Sequence, residues 1–314
     1  MRRMKSVSVI IRALNEGAHL GKLLYGLSQQ DQPADEIILV DSGSTDDTVD
    51  IAKNAGCRVA NIRKEEFSFG RALNIGCEAA SGELLVMMSA HVYPVYDTYL
   101  RLLTEPFDKH GADICYGRQV GDHRTKFSET RVMNRWFPNQ SIWDQGHPFS
   151  NNASAAVRAS LWQKHGYDES LTGLEDLAFA KKALADGAKI SYVAEAPIFH
   201  VHEESWATIR NRYRREAIAY KRIFASEELS RTQAVSLTAK NVLSDYYHAF
   251  RLGQLADNIV EIPKFRVSQF RGAWQGFRDP ASPPTDLLKR FYYPSEIIRR
   301  GKNDRDHTLI EYPE

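Results

Sequence analysis

Glu36-Ile37-Ile38-Leu39-Val40-Asp41-Ser42-Gly43-Ser44-Thr45-Asp46-Asp47-Thr48 is the stretch on which the fold turns. Four apolar residues in a row, bounded by turn-forming residues, read as a short buried strand. The strand ends on a carboxylate, Asp41, and a run of small polar residues follows it. Ser44 or Thr45 is expected to cap a helix whose first turn carries Asp46 and Asp47, where negative charge suits the helix dipole. Val49, Ile51 and Ala52 would form its apolar side.

The same alternation extends in both directions. Residues 6–12 (SVSVIIR) predict a buried strand, and a helix opens near Asn15 and Glu16 with Leu20, Leu23, Leu24 and Leu27 at helical spacing. Downstream come a weaker strand near residues 57–62, a helix over 69–80 stopped at Ser81-Gly82, and a strand over 83–88 that ends in Ser89-Ala90-His91. A helix over 96–109 and a strand over 112–117 follow. This order predicts an α/β fold with a mostly parallel sheet covered by helices on both faces. Residues 121–152 read as one long irregular loop, rich in Trp, Phe, Pro, His and Asn, a composition more often functional than decorative. A helix over 175–186 and a short strand over 190–193 complete this part. Beyond Ser205 helical patterns dominate, over 205–224, 232–252 and 267–277. The expected division is therefore an α/β domain over 1–204 and a helical C-terminal extension over 205–314.

Composition bounds the function. The 314 residues carry 41 Lys and Arg against 40 Asp and Glu, a formal charge of +1. That balance argues against a dedicated nucleic-acid binder. Cys57, Cys77 and Cys115 form no CxxC pair, so a zinc ribbon or disulfide framework is not expected, and three reduced core thiols are. No run approaches the ~20 apolar residues of a membrane span. The expectation is a soluble cytoplasmic protein, at most peripheral on the inner face of the membrane.

In an open α/β sheet, ligands bind beyond the carboxyl ends of the strands. Here those ends hold Arg12 to Glu16, Asp41 to Asp46 and Ser89 to His91. A carboxylate such as Asp41 can accept from a base N–H or ribose hydroxyls, though a capped turn without a ligand would look the same. Neither GxGxxG after the first strand nor GxxxxGK[ST] occurs, so dinucleotide-binding and P-loop signatures are missing.

VSVIIRALNE, IILVDSGSTDDT, FGRALNIGCEAASGELLVMMSAH and GLEDLAFAKKALADG, in that order, resemble the family 2 glycosyltransferases of the GT-A fold over roughly residues 6–202. The resemblance implies inverting sugar transfer from a nucleotide-sugar donor. By it, Asp41 contacts the nucleobase or ribose, Ala13, Glu16, Ser44, Ser89 and Ala90 line the nucleotide-sugar pocket, and Arg71 and Asn74 pack beside the donor. Asp176, of the catalytic pair Glu175-Asp176, becomes the base that deprotonates the acceptor hydroxyl, with Glu175 the alternative. Without the resemblance, that pair reads as ordinary N-terminal helix charge.

One departure stands out. The family's Asp-x-Asp metal motif is replaced by Ser89-Ala90-His91. An Asp-x-His variant in the polypeptide N-acetylgalactosaminyltransferases gives His a precedent at the last place. His200 resembles the C-terminal histidine that completes the metal site in many GT-A enzymes, so His91 and His200 are the expected ligands of a divalent ion, Mn2+ or Mg2+. The rival is metal-independent transfer, with histidines and basic residues bracing the phosphates.

Within residues 121–152, Trp143, His147 and Asn152 are the expected acceptor contacts, Asn152 because Asn151-Asn152-Ala153-Ser154 matches the family's small-residue segment before the base. The basic run Arg210, Arg212, Arg214, Arg215, Lys221 and Arg222 reads either as a solvated helix face or as a grip on a diphosphate or anionic membrane. Most later aromatics, including Tyr247, Phe250, Phe291, Tyr292 and Tyr293, are expected in the core, with dimerisation or membrane docking as the alternative. The implied partners are a nucleotide-sugar and a saccharide or lipid-linked acceptor, as in O-antigen or capsule synthesis. Two other readings remain: a nucleotidyltransferase, for which Arg12-Ala13-Leu14-Asn15 lacks the Gly-rich first loop, and a non-catalytic sugar-binding scaffold.

Overall fold

The computed structural model describes residues 5–226, 228–278 and 308–312. In strand β1 (Val7–Ala13), Val7, Val9, Ile11 and Ala13 face one layer and Ile10 the other. Both faces are covered, which is why the segment is a continuous apolar run rather than an alternation. Helix α1 (Gly17–Ser28) leads to β2 (Glu36–Asp41), α2 (Thr48–Asn54) and β3 (Arg58–Asn61). Helix α3 (Phe69–Ala79) leads to β4 (Leu84–Ser89) and the short β5 (Val92–Pro94). Helices α4 (Tyr99–Thr104) and α5 (Pro106–Lys109) precede β6 (Ile114–Val120), α6 (Phe127–Trp136), β7 (Ser154–Arg158), α7 (Ala159–His165), α8 (Glu175–Ala185) and β8 (Ile190–His200). The C-terminal helices are α9 (Trp206–Ile223), α10 (Arg231–Arg251), α11 (Leu255–Asn258) and α12 (Glu261–Phe277).

The eight described strands form one sheet in the order β3-β2-β1-β4-β7-β6-β8-β5. Strands β3, β2, β1 and β4 are mutually parallel, and β6 is parallel to β8. Only β7 and β5 run against the rest. Leu20, Leu23, Leu27, Leu102, Leu103 and Phe107 cover one face, with α1, α2, α4 and α5. Leu73, Met133, Phe179 and Ala183 cover the other, with α3, α6, α7 and α8. The expected α/β layering is therefore present, and all three cysteines are buried and free.

Four local expectations are corrected. The predicted helix over 96–109 is two helices, because Pro106 has no N–H and crowds the preceding turn. Residues 121–152 are not one irregular loop, since α6 lies within them and buries Ser128, Glu129 and Met133. Strand β8 runs eleven residues instead of four. It carries Pro197 where the register against β6 shifts, from Gly117↔Val193 to Arg118↔Pro197, a position that tolerates proline inside a sheet. Helix α2 is not capped by Ser44 or Thr45: it starts at Thr48, and the Ser44 hydroxyl instead accepts the Asn15 N–H at 2.8 Å.

The C-terminal helices are bolted to the α/β layers. A Cβ at Gly272 would lie 2.2 Å from the Arg210 carbonyl oxygen, and one at Gly276 2.4 Å from that of Arg214, so glycine lets α12 lie directly on α9. Arg266, 1% exposed, donates to Asp245 at 2.7 Å and to the Ser128 carbonyl at 3.3 Å, joining α12, α10 and α6. Leu177 of α8 packs into the same cluster as Tyr220, Leu237 and Phe270. Residues 308–312 return to the first layer, where Ile310 donates to Val95 and Tyr312 packs over Gly26. Phe265, Phe270 and Phe277 are core as expected, but Tyr247 and Phe250 are exposed. Phe291, Tyr292 and Tyr293 lie outside the described residues.

Candidate active site

At the carboxyl end of β2 the chain builds a polar knot. Asp41, almost fully buried, accepts from the N–H groups of Gly43 and Ser44, and Gly43 takes a positive φ of 92° that allows the turn. Ser42 donates both its N–H and its hydroxyl to the Ala13 carbonyl. Asn15, itself at φ 54°, accepts from the Thr45 N–H through Oδ1 at 2.8 Å, while Asp46 accepts from Gly17 and Thr48. The two loops after β1 and β2 thus hold each other, with Asp41, Ser44 and the Ala13 backbone at one rim. The Ala13 side chain itself faces the core.

A tight turn delivers the carboxylate pair. Leu174 adopts the left-handed region at φ 56° and starts α8, so that Glu175 and Asp176 sit at the helix N-terminus against the sheet. Asp176 is 9% exposed and accepts from the Asn152 N–H at 3.0 Å and from the Leu177 N–H at 2.7 Å. Burial, and then the neighbouring Glu175 carboxylate, raise its carboxyl to about 7. Glu175 is paired differently: Arg12 donates to it at 3.2 Å, and the Arg12 guanidinium lies over the Phe69 ring. Arg12 follows from register, since it neighbours Ser89 across the β1–β4 pair on the same edge.

Three imidazoles meet beyond the ends of β4 and β8. His91, His200 and His202 each place a ligand-competent nitrogen within 4.8 Å of the others. His202 lies two residues past the end of β8, and Val201 between it and His200 is buried in the core. Burial lowers the proton affinity of His200 and His202 well below the ordinary imidazole range, and the neighbouring cations lower it further. Both rings are therefore neutral near pH 7, the state in which imidazole binds metal. His200 Nε2 is buried without a hydrogen-bond partner. The donor set fits a divalent ion.

Asp176, His200 and His202 line a single cavity of about 210 Å³ between the sheet and the C-terminal helices. Trp136, Phe137 and Phe149 supply aromatic wall, and Arg212, Tyr213, Glu216 and Tyr220 of α9 close the far side. Arg212 is no solvated cation. It pairs with Glu129 at 2.7 Å and Glu204 at 2.6 Å.

Several expected site residues are placed elsewhere. Ala90 is fully buried in the first core layer, and only Ser89 of that pair reaches the edge. Glu16 accepts from His91 at 2.9 Å, beside the imidazole cluster rather than in the Asp41 knot. Asn74 spends its whole amide on structure: Oδ1 accepts from Trp162 and Tyr167, and Nδ2 donates to Tyr167 and Glu169. Arg71 points at Glu169 and Glu66. Trp143 is 40% exposed and stacks on His110 at 4.2 Å, because residues 142–145 run beside the start of β8, the end away from the strand termini. His147 is held in a turn with Gln145 and lies outside the cavity wall. Sequence reasoning missed His202, Arg12, Glu129 and Arg212 as neighbours. The His-x-His spacing of 200 and 202 was the available signal for the first.

Residues 8–165, 158 of 314 positions, match the family described as Glycosyl transferase family 2. An O-antigen chain rhamnosyltransferase of Salmonella anatum is 26% identical over 212 residues, 63% of this chain and 67% of that one. A putative glycosyltransferase, EpsH, of Bacillus subtilis is 26% identical over 260 residues, 77% of this chain and 72% of that one. In fold, the chain is similar to a mannosyltransferase of Pyrobaculum calidifontis solved with GDP-Man and Mn2+, with a TM-score of 0.58 at 18% identity over 87% of this chain and 86% of that one. With the family matched across half of its length and the sheet order and strand-end site in place, this chain belongs to glycosyl transferase family 2 and has the GT-A fold.

Proposed function

We propose that the protein transfers a sugar, with inversion, from a nucleotide-sugar to a hydroxyl of a saccharide or lipid-linked saccharide, in the assembly of a surface polysaccharide of the O-antigen or capsule kind. The names of the Salmonella and Bacillus relatives support the context. One observation carries the chemistry: Asp176 is held by two backbone N–H groups on the wall of the cavity that also holds His200 and His202.

In this reading the nucleotide lies across the β1 and β2 loops, with Asp41, Ser44 and the Ala13 backbone at its base and ribose end. The diphosphate extends toward Ser89 and the imidazoles. A divalent ion, when bound at His91 and His200, supplies positive charge to the departing diphosphate. Asp176 accepts the proton of the acceptor hydroxyl as that oxygen attacks the anomeric carbon and the bond from carbon to phosphate oxygen breaks. Asn152 positions Asp176, and Arg12 pairs with Glu175 beside it. The aromatic wall of Trp136, Phe137 and Phe149 suits the apolar face of a sugar. Residues 1–204 act as the catalytic domain, and the extension from 205 closes the cavity through Arg212, Tyr213 and Tyr220.

The test is an assay of sugar release and transfer with UDP-, GDP-, dTDP- and CMP-sugars, alongside melting shifts with the four nucleotides. Turnover of one donor, lost in Asp176→Asn, is expected. No turnover and no nucleotide-dependent melting shift would favour the non-catalytic scaffold.

A further inference from the structure

The imidazole cluster contains more order than a pair of ligands requires. Each of the three rings presents Nδ1 to an oxygen acceptor: His91 to Glu16 Oε1 at 2.9 Å, His200 to Gln119 Oε1 at 2.6 Å, and His202 to Glu129 Oε1 at 2.8 Å. Carboxylate and amide oxygens only accept, so Nδ1 of each ring is the donor in these bonds and Nε2 is the nitrogen left for a ligand. Three histidines with one tautomer, each fixed from behind by an oxygen, form the outer arrangement that orients imidazoles on a metal ion. The buried, unpartnered Nε2 of His200 is the second observation that points inward to a ligand.

We propose that His202 is the third ligand of an all-imidazole metal centre with His91 and His200, each bound through Nε2, and that the centre selects a nitrogen-preferring ion such as Co2+ or Zn2+ over Mn2+ or Mg2+. This rests on the reading above that a divalent ion binds at His91 and His200, and it adds the third ligand and the class of ion. Mg2+ and Mn2+ favour oxygen donors, whereas the three side chains proposed as ligands all offer nitrogen. Three imidazoles leave coordination positions open, as a centre that must also meet substrate oxygens requires. Glu16 stands one step behind His91, and Glu129 one step behind His202.

A competing cluster, Glu129, His202 and Glu204, is also compact enough for an ion. Its cation is already present. Arg212 bridges both carboxylates, and Glu129 is further engaged by His202. That leaves the His91, His200 and His202 group as the place for metal.

The experiment uses the full chain, stripped with chelator and titrated with Co2+ and with Mn2+ by calorimetry, with the visible ligand-field spectrum of the Co2+ form recorded. One Co2+ per chain, bound at least about tenfold more tightly than Mn2+, is expected. His202→Ala should weaken Co2+ by at least about tenfold and change the spectrum. X-ray absorption on Co2+-loaded wild type counts the imidazoles without any substitution, so the answer does not depend on a variant folding. Three imidazoles support the proposal, and two or fewer overturn it. Equal or tighter binding of Mn2+ overturns the choice of ion. Loss of binding in His91→Ala and His200→Ala but not in His202→Ala overturns the third ligand and leaves the underlying reading intact. No binding of either ion, with transfer unaffected by EDTA, overturns both.

Discussion

The Asn152 backbone N–H donates to Asp176 Oδ2 at 3.0 Å, across 24 residues of sequence. That bond joins the segment entering β7 to the first turn of α8 and aims a buried carboxylate into the cavity.

Asp176→Asn keeps the shape and removes the base. The kcat should fall by about 10²–10⁴, with donor KM little changed. In wild type, kcat should rise with pH around a midpoint near 7, as the raised carboxyl ionises. Stability carries the opposite sign. The folded carboxyl holds its proton up to about 7 whereas an unfolded Asp releases it near about 4, so wild-type stability should fall as pH rises through that window. Melting curves of both proteins at pH 5 and pH 8 check this, and the variant should lack the Asp176 share of the decline. A kcat near wild type would remove Asp176 from the role.

Arg12→Met removes the only cation that touches the buried Glu175 among the described residues. An unpaired buried carboxylate is destabilising by about 3–5 kcal/mol, read by urea unfolding at pH 8. The kcat midpoint should also move upward, because Arg12 lowers the Asp176 carboxyl.

Asn74 separates a structural from a binding role. The family resemblance sets it beside the donor, yet all its hydrogen-bonding groups tie α3 to residues 162–169. Asn74→Ala should lower stability by about 2–3 kcal/mol while donor KM, measured well below the melting point, stays within a few-fold of wild type. A large KM change with unchanged stability would restore the donor role.

The exposed stripe Leu243, Tyr247 and Phe250, with Leu252 beyond it, recurs at helical spacing on α10, and Phe250 is 70% exposed. No described helix is long and apolar enough to cross a membrane. With Arg251 on the same turn, we propose that the stripe makes shallow contact with an anionic bilayer. Sedimentation with vesicles containing anionic lipid should carry down wild type and much less of Leu243→Ser/Phe250→Ser. Equal sedimentation of the two overturns the contact, and a concentration-dependent dimer lost in the double variant would assign the stripe to self-association.

Much of this protein was written locally. The apolar runs of β1, β2 and β4 needed no partner to be recognised, because a strand buried on both faces leaves a continuous signature. Glu175 and Asp176 were legible through the family pattern, although their helix-start position alone would have hidden them. Strand β7 was not legible, because Ser154-Ala155-Ala156-Val157 has weak strand preference and is held by pairing with both β4 and β6. Nor was the full length of β8, since Pro197 reads as a stop until the register shift shelters it.

The sequence by itself determined most of the strands and helices, β7 and α6 excepted, and which residues can do chemistry, because periodicity and side-chain type are local properties. Tertiary structure decided which of those residues meet. It brought His202 to His91 across the β5–β8 edge, paired Arg12 with Glu175 over 163 positions, and sent Trp143 to the far end of β8. The reason is physical: strand order and register are set by pairings between distant segments, and a shift of one residue or one strand changes every neighbour at the site.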